Sequence, residues 1–269
     1  MAPDSTSPTI SKPETPSRYK FRVRFRKAGD LRLVSHHDLM HVFERMFRRA
    51  DLPIPSTQGF NPRPRMWFAL SLALGVAGLN EVLEFETSEP LPAEEVERRL
   101  TAQCPPGIEI VSLRQIDVRA SAHIRRAHYR VMGPKPRDER SDSRAWFLQQ
   151  TEYWVERQRP QRRRINIRPY LDELTLLDDQ VTMALWITPN GAARPEEVVA
   201  AVGLQSWLDA GAVIERTDLE IYDELPPDVS RPPVIRATQE ESSANETAPQ
   251  EPVAARPTAI FDSPFSFDS

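Results

Sequence analysis

A single cysteine, Cys104, stands in a chain of 269 residues. A disulfide framework is therefore excluded, and so is a zinc or iron–sulfur site built from cysteines of this chain. Long apolar runs are missing as well. No stretch approaches 18 apolar residues, so no membrane-spanning helix is expected, and residues 1–17 lack the apolar core of a signal peptide. The phosphate-cradling glycine loop of Walker type, the paired histidine zinc helix and a recognisable Ser/His/Asp triad are all absent. These absences lead to the expectation of a cytoplasmic protein with no cofactor, no metal site and no membrane partner. Glycine is scarce, 9 residues against 26 prolines, and the hydrophobic share is 39%. Abundant proline with modest apolar content points to disordered ends around a folded middle.

What the chain does have is charge in blocks. Residues 18–65 carry 12 Lys/Arg against 4 Asp/Glu (net +8), and residues 66–118 carry 3 against 9 (net −6). Residues 119–169 carry 14 against 5 (net +9), residues 170–222 carry 2 against 10 (net −8), and the last 47 carry 3 against 9 (net −6). Two separated basic blocks brought onto one face would attract a polyanion. Alternatively, basic and acidic blocks neutralise one another across an interface inside the fold.

Hydrophobic periodicity places the elements. Tyr19, Phe21, Val23 and Phe25 alternate with Lys20, Arg22, Arg24 and Arg26, the pattern of a half-buried strand with a basic outer face. A turn at Gly29-Asp30 leads to Ser35, a helix cap, with Asp38 in the first turn. Leu39, Val42, Phe43, Met46 and Phe47 then recur at helical spacing. Met66–Leu74 and Val82–Phe85 read as strands of a hairpin turning at Gly75–Gly78. Pro92 opens a second helix with Glu94 and Glu95 in its first turn and Arg98 and Arg99 near its end. A strand beginning at Ile108 closes the unit. The second half repeats the order: a strand at His128–Met132, a helix at Ser141–Gln150, alternation over Thr151–Arg157, extended chain from Ile165 and Val181–Ile187, a helix at Pro195, and a strand at Ile214–Tyr222. The expected class is α+β, with two ferredoxin-like β-α-β-β-α-β units in tandem, residues 18–118 and 119–225. Residues 1–17 form a disordered arm in this reading, and residues 226–269 a disordered, acidic, Pro/Ser-rich tail whose final AIFDSPFSFDS could be a docking motif or inert.

Three motifs in order carry a family resemblance: Gly29-Asp30-Leu31-Arg32, then Ser35-His36-His37-Asp38-Leu39-Met40, then Ser56-Thr57-Gln58-Gly59-Phe60-Asn61-Pro62-Arg63-Pro64. With the segments ITPNGAARPEEVVAAVGL and VIERTDLEIYDE near the end, they make residues 19–224 resemble the radical SAM-linked protein family, a bacterial domain of unknown function. Its members are often fused to a radical SAM enzyme or encoded beside one. The resemblance implies a separate radical SAM enzyme as partner, since no three-cysteine cluster motif exists here to hold that enzyme's iron–sulfur cluster. The chain departs from the family in its extra arms and in the added arginines of the proline loop.

That loop is the leading candidate for contact. Pro62 and Pro64 restrict the backbone, and Gly59 permits a tight turn. Phe60 either stacks on a base or plugs the core, Gln58 and Asn61 can hydrogen-bond, and Arg63 and Arg65 can pair with phosphates. Arg22 and Arg24 on the first strand, and Arg157, Arg162, Arg163 and Arg164 (with Arg159 and Arg168) in the run RQRPQRRRINIR, are further candidate RNA contacts, although such a run also serves solubility. His37 and His41 have a spacing able to share a metal, but no third ligand is evident, and core or surface histidines are the commoner case. The expected function is a non-catalytic RNA-binding accessory module. The alternatives are a metal-independent ribonuclease using His36 or His37 with Arg63 on the phosphorane, by analogy with CRISPR repeat-processing enzymes built of paired ferredoxin-like units, and a protein–protein scaffold.

Overall fold

The computed structural model describes residues 18–134, 141–158, 162–177, 179–226 and 228–229, all within one unit of the chain. The arm 1–17, Arg159 and nearly all of the tail lie outside the described residues. The fold is mixed α/β, with one large, mostly antiparallel sheet and few helices.

In chain order the first half contains β1 (Tyr19–Lys27), α1 (His36–Arg49), β2 (Met66–Phe68), β3 (Ala77–Thr87), α2 (Ala93–Thr101) and β4 (Ile108–Ile116). The second contains β5 (Ile124–Met132), α3 (Ser141–Gln149), β6 (Trp154–Arg157), β7 (Arg163–Asn166), β8 (Leu171–Leu176), β9 (Gln180–Trp186), α4 (Pro195–Ala201), α5 (Gln205–Asp209) and β10 (Ile214–Ile221). Eight strands form one sheet in the order β4-β1-β3-β10-β5-β9-β8, with β2 also paired to β3. β6 and β7 pair with each other apart from it. Each half orders its strands as fourth, first, third, second: β4-β1-β3-β2, and β10-β5-β9-β8 once the β6–β7 hairpin is set aside. Pairings within the sheet are antiparallel except one. Glu215 and Arg216 of β10 lie parallel to Ala77 and Gly78 of β3, and this short contact joins the halves.

The helical and strand periodicities are realised in two cores. Phe21, Val23 and Phe25 of β1 pack with Leu39, Phe43, Met46 and Phe47 of α1, Leu83 and Phe85 of β3, and Val96 and Leu100 of α2. Ser35 caps α1 as its spacing suggests, its hydroxyl oxygen accepting from the Asp38 N–H at 3.2 Å. The second core gathers Val131, Phe147, Val181, Leu185, Val198 and Leu219 around Trp207 of α5. Gly133 is required there, because a Cβ at that position would lie 2.1 Å from the Trp207 ring.

Two local expectations are corrected. The strand expected over Met66–Leu74 stops at Phe68, and Ala77 and Gly78 belong to β3 rather than to a hairpin turn. The intervening backbone finds partners off the ladder. Arg216 donates to the carbonyls of Leu70 and Ser71 at 3.0 and 3.1 Å, and the Gly75 N–H bonds the Arg32 carbonyl at 2.9 Å. Likewise, the turn at Gly29-Asp30 is the start of a short 3-10 helix, Gly29–Leu33.

Candidate nucleic-acid interface

The loop between α1 and β2 is a narrow antiparallel finger. Ser56 bridges Pro64, the Thr57 N–H donates to the Arg63 carbonyl at 2.8 Å, and the Arg65 N–H donates to the Pro55 carbonyl at 2.9 Å. The Thr57 hydroxyl oxygen accepts from the Arg63 N–H at 3.1 Å. Gly59 turns the tip at φ 140°, a conformation that other residues rarely adopt. Phe60 stands at this tip fully exposed, which rules out the core-plug reading. Gln58, Asn61 and Arg63 are exposed beside it.

Arg65 turns back toward the sheet. Its Nε lies 2.7 Å from Glu86 Oε2, an ion pair without the alignment of a hydrogen bond. Its guanidinium carbon sits 5.7 Å from the centre of the Trp67 ring, and Lys20 Nζ lies 5.4 Å from the same ring. Trp67 is 42% exposed and borders an open cavity of about 420 Å³ lined also by Arg119, Glu84 and Glu86. Sequence reasoning passed over Trp67 because it reads as one apolar residue in MWFALSLAL. The signal that could have found it was strand alternation: buried Met66 puts Trp67 on the opposite face.

The strand face expected to meet solvent is covered. Lys20 and Arg22 are buried, and Arg22 donates through Nε and Nη2 to Glu84 Oε1 at 3.0 and 2.7 Å. Its outer edge meets Asp223 through two bonds of 2.9 Å, and Glu224 at 2.8 Å. Arg24 pairs with Asp218 at 3.0 Å and Glu224 at 2.5 Å. Farther along the sheet, Glu220 accepts from Arg125, Arg126 and His128 at 2.7 to 3.0 Å. Burial alone would raise the Glu220 pKa, but these donors outweigh it and hold the value at about 2. Basic and acidic blocks thus pair with each other on this face.

The arginine run divides similarly. Arg157 is buried and grips Glu197 at 2.6 and 2.7 Å and the Ala192 carbonyl at 2.9 Å. Arg162 pairs with Glu156 at 2.5 Å. Arg163 and Arg164 are exposed, with the Arg164 guanidinium 5.5 Å from the Trp154 ring. They belong to the β6–β7 hairpin of the second half, whereas Phe60 and Arg63 belong to the finger of the first.

His36 packs edge-on against Phe68, 5.1 Å between ring centres, and its Nδ1 is buried without a partner. Burial, followed by the charges of Lys27, His37 and Arg216, lowers its pKa and favours the neutral ring. His37 is exposed, its ring 5.1 Å from that of His41, and His41 Nδ1 lies 2.9 Å from Glu44. Among the described residues, no three His, Cys, Asp or Glu side chains are grouped to hold a metal ion, and no helix is long and apolar enough to cross a membrane.

A family model described as an uncharacterised protein conserved in bacteria, DUF2344, matches residues 20–195. The chain belongs to the DUF2344 family. The matched family span takes in the finger, Trp67, the β6–β7 hairpin and His36. No curated protein matches the chain.

Proposed function

We propose that this DUF2344 protein is a non-catalytic, cytoplasmic RNA-binding accessory module that works with a separate radical SAM enzyme. The observation that carries the RNA reading is Phe60, a large aromatic ring held fully in solvent at the tip of a proline-braced finger with Arg63 beside it. Ordering such a ring in water has no folding benefit, and bracing the loop in advance lowers the entropy lost on binding. Trp67 adds a second aromatic face beside two cations, Lys20 and Arg65, which are paired with Glu84 and Glu86. Aromatic faces beside cations form the stacking platforms that hold single-stranded nucleic acid. Many arginines of the sheet are paired with carboxylates, so the first contact in this reading is the finger and its neighbours rather than a broad basic surface. The strand order shared by the halves supports the reading of two ferredoxin-like units, an architecture that recurs in RNA-binding proteins. The radical SAM partnership rests on the motif resemblance at Gly29–Arg32, Ser35–Met40 and Ser56–Pro64.

Crosslinking of the full chain to cellular RNA, followed by sequencing, tests the proposal. Enrichment of defined RNAs, lost in an Arg63→Ala/Arg65→Ala variant, is the expected result. Recovery of no RNA above background would sink it. A second reading, a metal-independent ribonuclease, is favoured by the neutral His36 ring with its unpartnered Nδ1. RNA cleavage by the parent chain that disappears in His36→Ala while binding persists would favour it over the accessory role.

A further inference from the structure

Arg22 and Arg24 of β1 and Arg114 of the neighbouring β4 project on one face of the sheet and line an open cavity of about 300 Å³. Their guanidinium groups converge on two carboxylates from a single turn, Tyr222–Glu224, which directly follows β10. Asp223 takes the outer edge of Arg22 through two parallel bonds of 2.9 Å. Glu224 accepts from Arg22 at 2.8 Å, Arg24 at 2.5 Å and Arg114 at 2.6 Å. The geometry points to a phosphate-binding site made by Arg22, Arg24 and Arg114, which the Asp223–Glu224 turn fills as an internal stand-in for the ligand. This rests on the reading that the protein binds RNA, and it names a second contact for the RNA backbone away from the finger.

Three features favour a built anion site over ordinary surface pairing. Arg22 is oriented from behind: Glu84 holds its Nε edge, so the outward fork stays aimed whether or not Asp223 occupies it. A two-pronged arginine fork suits a phosphate as well as a carboxylate. The occupying groups are also less enclosed than the arginine they cover, since the Asp223 side chain is 40% exposed and that of Arg22 1%. Withdrawal of the short turn that follows β10 would free Arg114 and the outward fork of Arg22 without breaking a sheet ladder, and would leave Arg24 beside them, still held by Asp218 at 3.0 Å and the Leu219 carbonyl at 3.1 Å. Burial would raise the Glu224 pKa, but its three arginine donors hold it at about 2, so the stand-in remains an anion at neutral pH.

The test compares the full-length parent with Asp223→Asn/Glu224→Gln, which keeps side-chain shape and removes both charges. Binding of a labelled oligouridylate is followed by anisotropy across a salt series, and binding of inorganic triphosphate by calorimetry. The variant is expected to bind oligouridylate about tenfold tighter. Its plot of log K against log salt should steepen by roughly 1.4, from two added phosphate contacts (Arg22 and Arg114) at about 0.7 each. Arg114→Ala in the variant background should remove part of both gains. A folded variant that binds both probes no tighter than the parent overturns the inference. If the parent itself binds oligouridylate, that result leaves the RNA-binding reading intact. A gain for triphosphate alone, with a parent that binds no RNA, supports the phosphate site and overturns its assignment to RNA. Should the double variant fail to fold, Glu224→Gln alone leaves the Asp223–Arg22 pair in place, and the same direction of change at smaller size is expected.

Discussion

The charge pair that joins the two halves offers the sharpest test of the fold. Glu81 of β3 and Arg216 of β10 form an ion pair in which each side chain is 3% exposed. Arg216 also donates to the Leu70 and Ser71 carbonyls. Removing one member of such a pair strands the other charge in a poorly solvated site, at a cost of about 3–5 kcal/mol. Glu81→Gln keeps an acceptor for Arg216 and should fall near the lower end of that range. Arg216→Met leaves the Glu81 charge and the two carbonyls without their donor, and should fall near the upper end. Glu81→Leu with Arg216→Met removes both charges together. Its cost then reduces to the unpaired carbonyls and imperfect packing, about 1–3 kcal/mol. The double variant should therefore be more stable than Arg216→Met alone. Equilibrium unfolding of the full chain in urea, followed by far-ultraviolet circular dichroism, measures each value, with an unchanged m-value confirming comparable transitions. Gly78→Ala probes the same pair sterically, since a Cβ there would sit 2.4 Å from Glu81 Cγ and push the carboxylate off Arg216. Single replacements costing under about 1 kcal/mol, or a double variant as unstable as the sum of its parts, would refute the argument.

Further outcomes are expected elsewhere. Phe60→Leu should weaken RNA binding with a stability change within about 0.5 kcal/mol, because the ring buries nothing in the fold; a large fall in thermal midpoint would contradict its exposed position. Phe43, fully buried in the first core, should cost about 3–5 kcal/mol when replaced by alanine, and a loss under about 1 kcal/mol would put the phase of α1 in doubt. Glu220 has a folded-state pKa of about 2 against an ordinary 4.5. The stability it contributes is present above that ordinary value and is lost as pH falls from about 4.5 toward 2. Glu220→Gln should thus flatten the acid limb of the urea midpoint against pH, and an unchanged limb would count against the pairing with Arg125, Arg126 and His128.

Much of this architecture was legible because local pattern and final environment agree. Alternation in YKFRVRFR and the helical spacing from Leu39 to Phe47 each place apolar groups on one face, and those faces meet in the core. The fate of the opposite face was not legible. Arg22 and Arg24 look like solvent-facing cations until Asp218, Asp223 and Glu224 arrive from 194 to 201 residues away. Likewise the exposure of Phe60 could not be read from its neighbours, because a proline-rich loop can seat an aromatic inward or outward. Trp67 was hidden by a different cause: β2 is only three residues long, too short for its alternation to stand out in an apolar stretch.

The parallel contact between β3 and β10 sets an order on synthesis. The edge of β3 at Ala77–Gly78 and the carboxylate of Glu81 find their partners only when residues 215 and 216 exist, 135 positions after Glu81. At translation rates of about 5–20 residues per second, that delay is roughly 7–27 s. During it the first half carries an open strand edge and an ionised group destined for burial, so it waits incomplete on the ribosome. Chains stalled before β10 should be cut by protease near β3, and chains released in full should resist at the same place. Late pairing of distant segments is slow and leaves sheet edges exposed. For this protein β10 therefore acts as a latch: a truncation that spares every residue of the finger would still leave its supporting sheet unfinished.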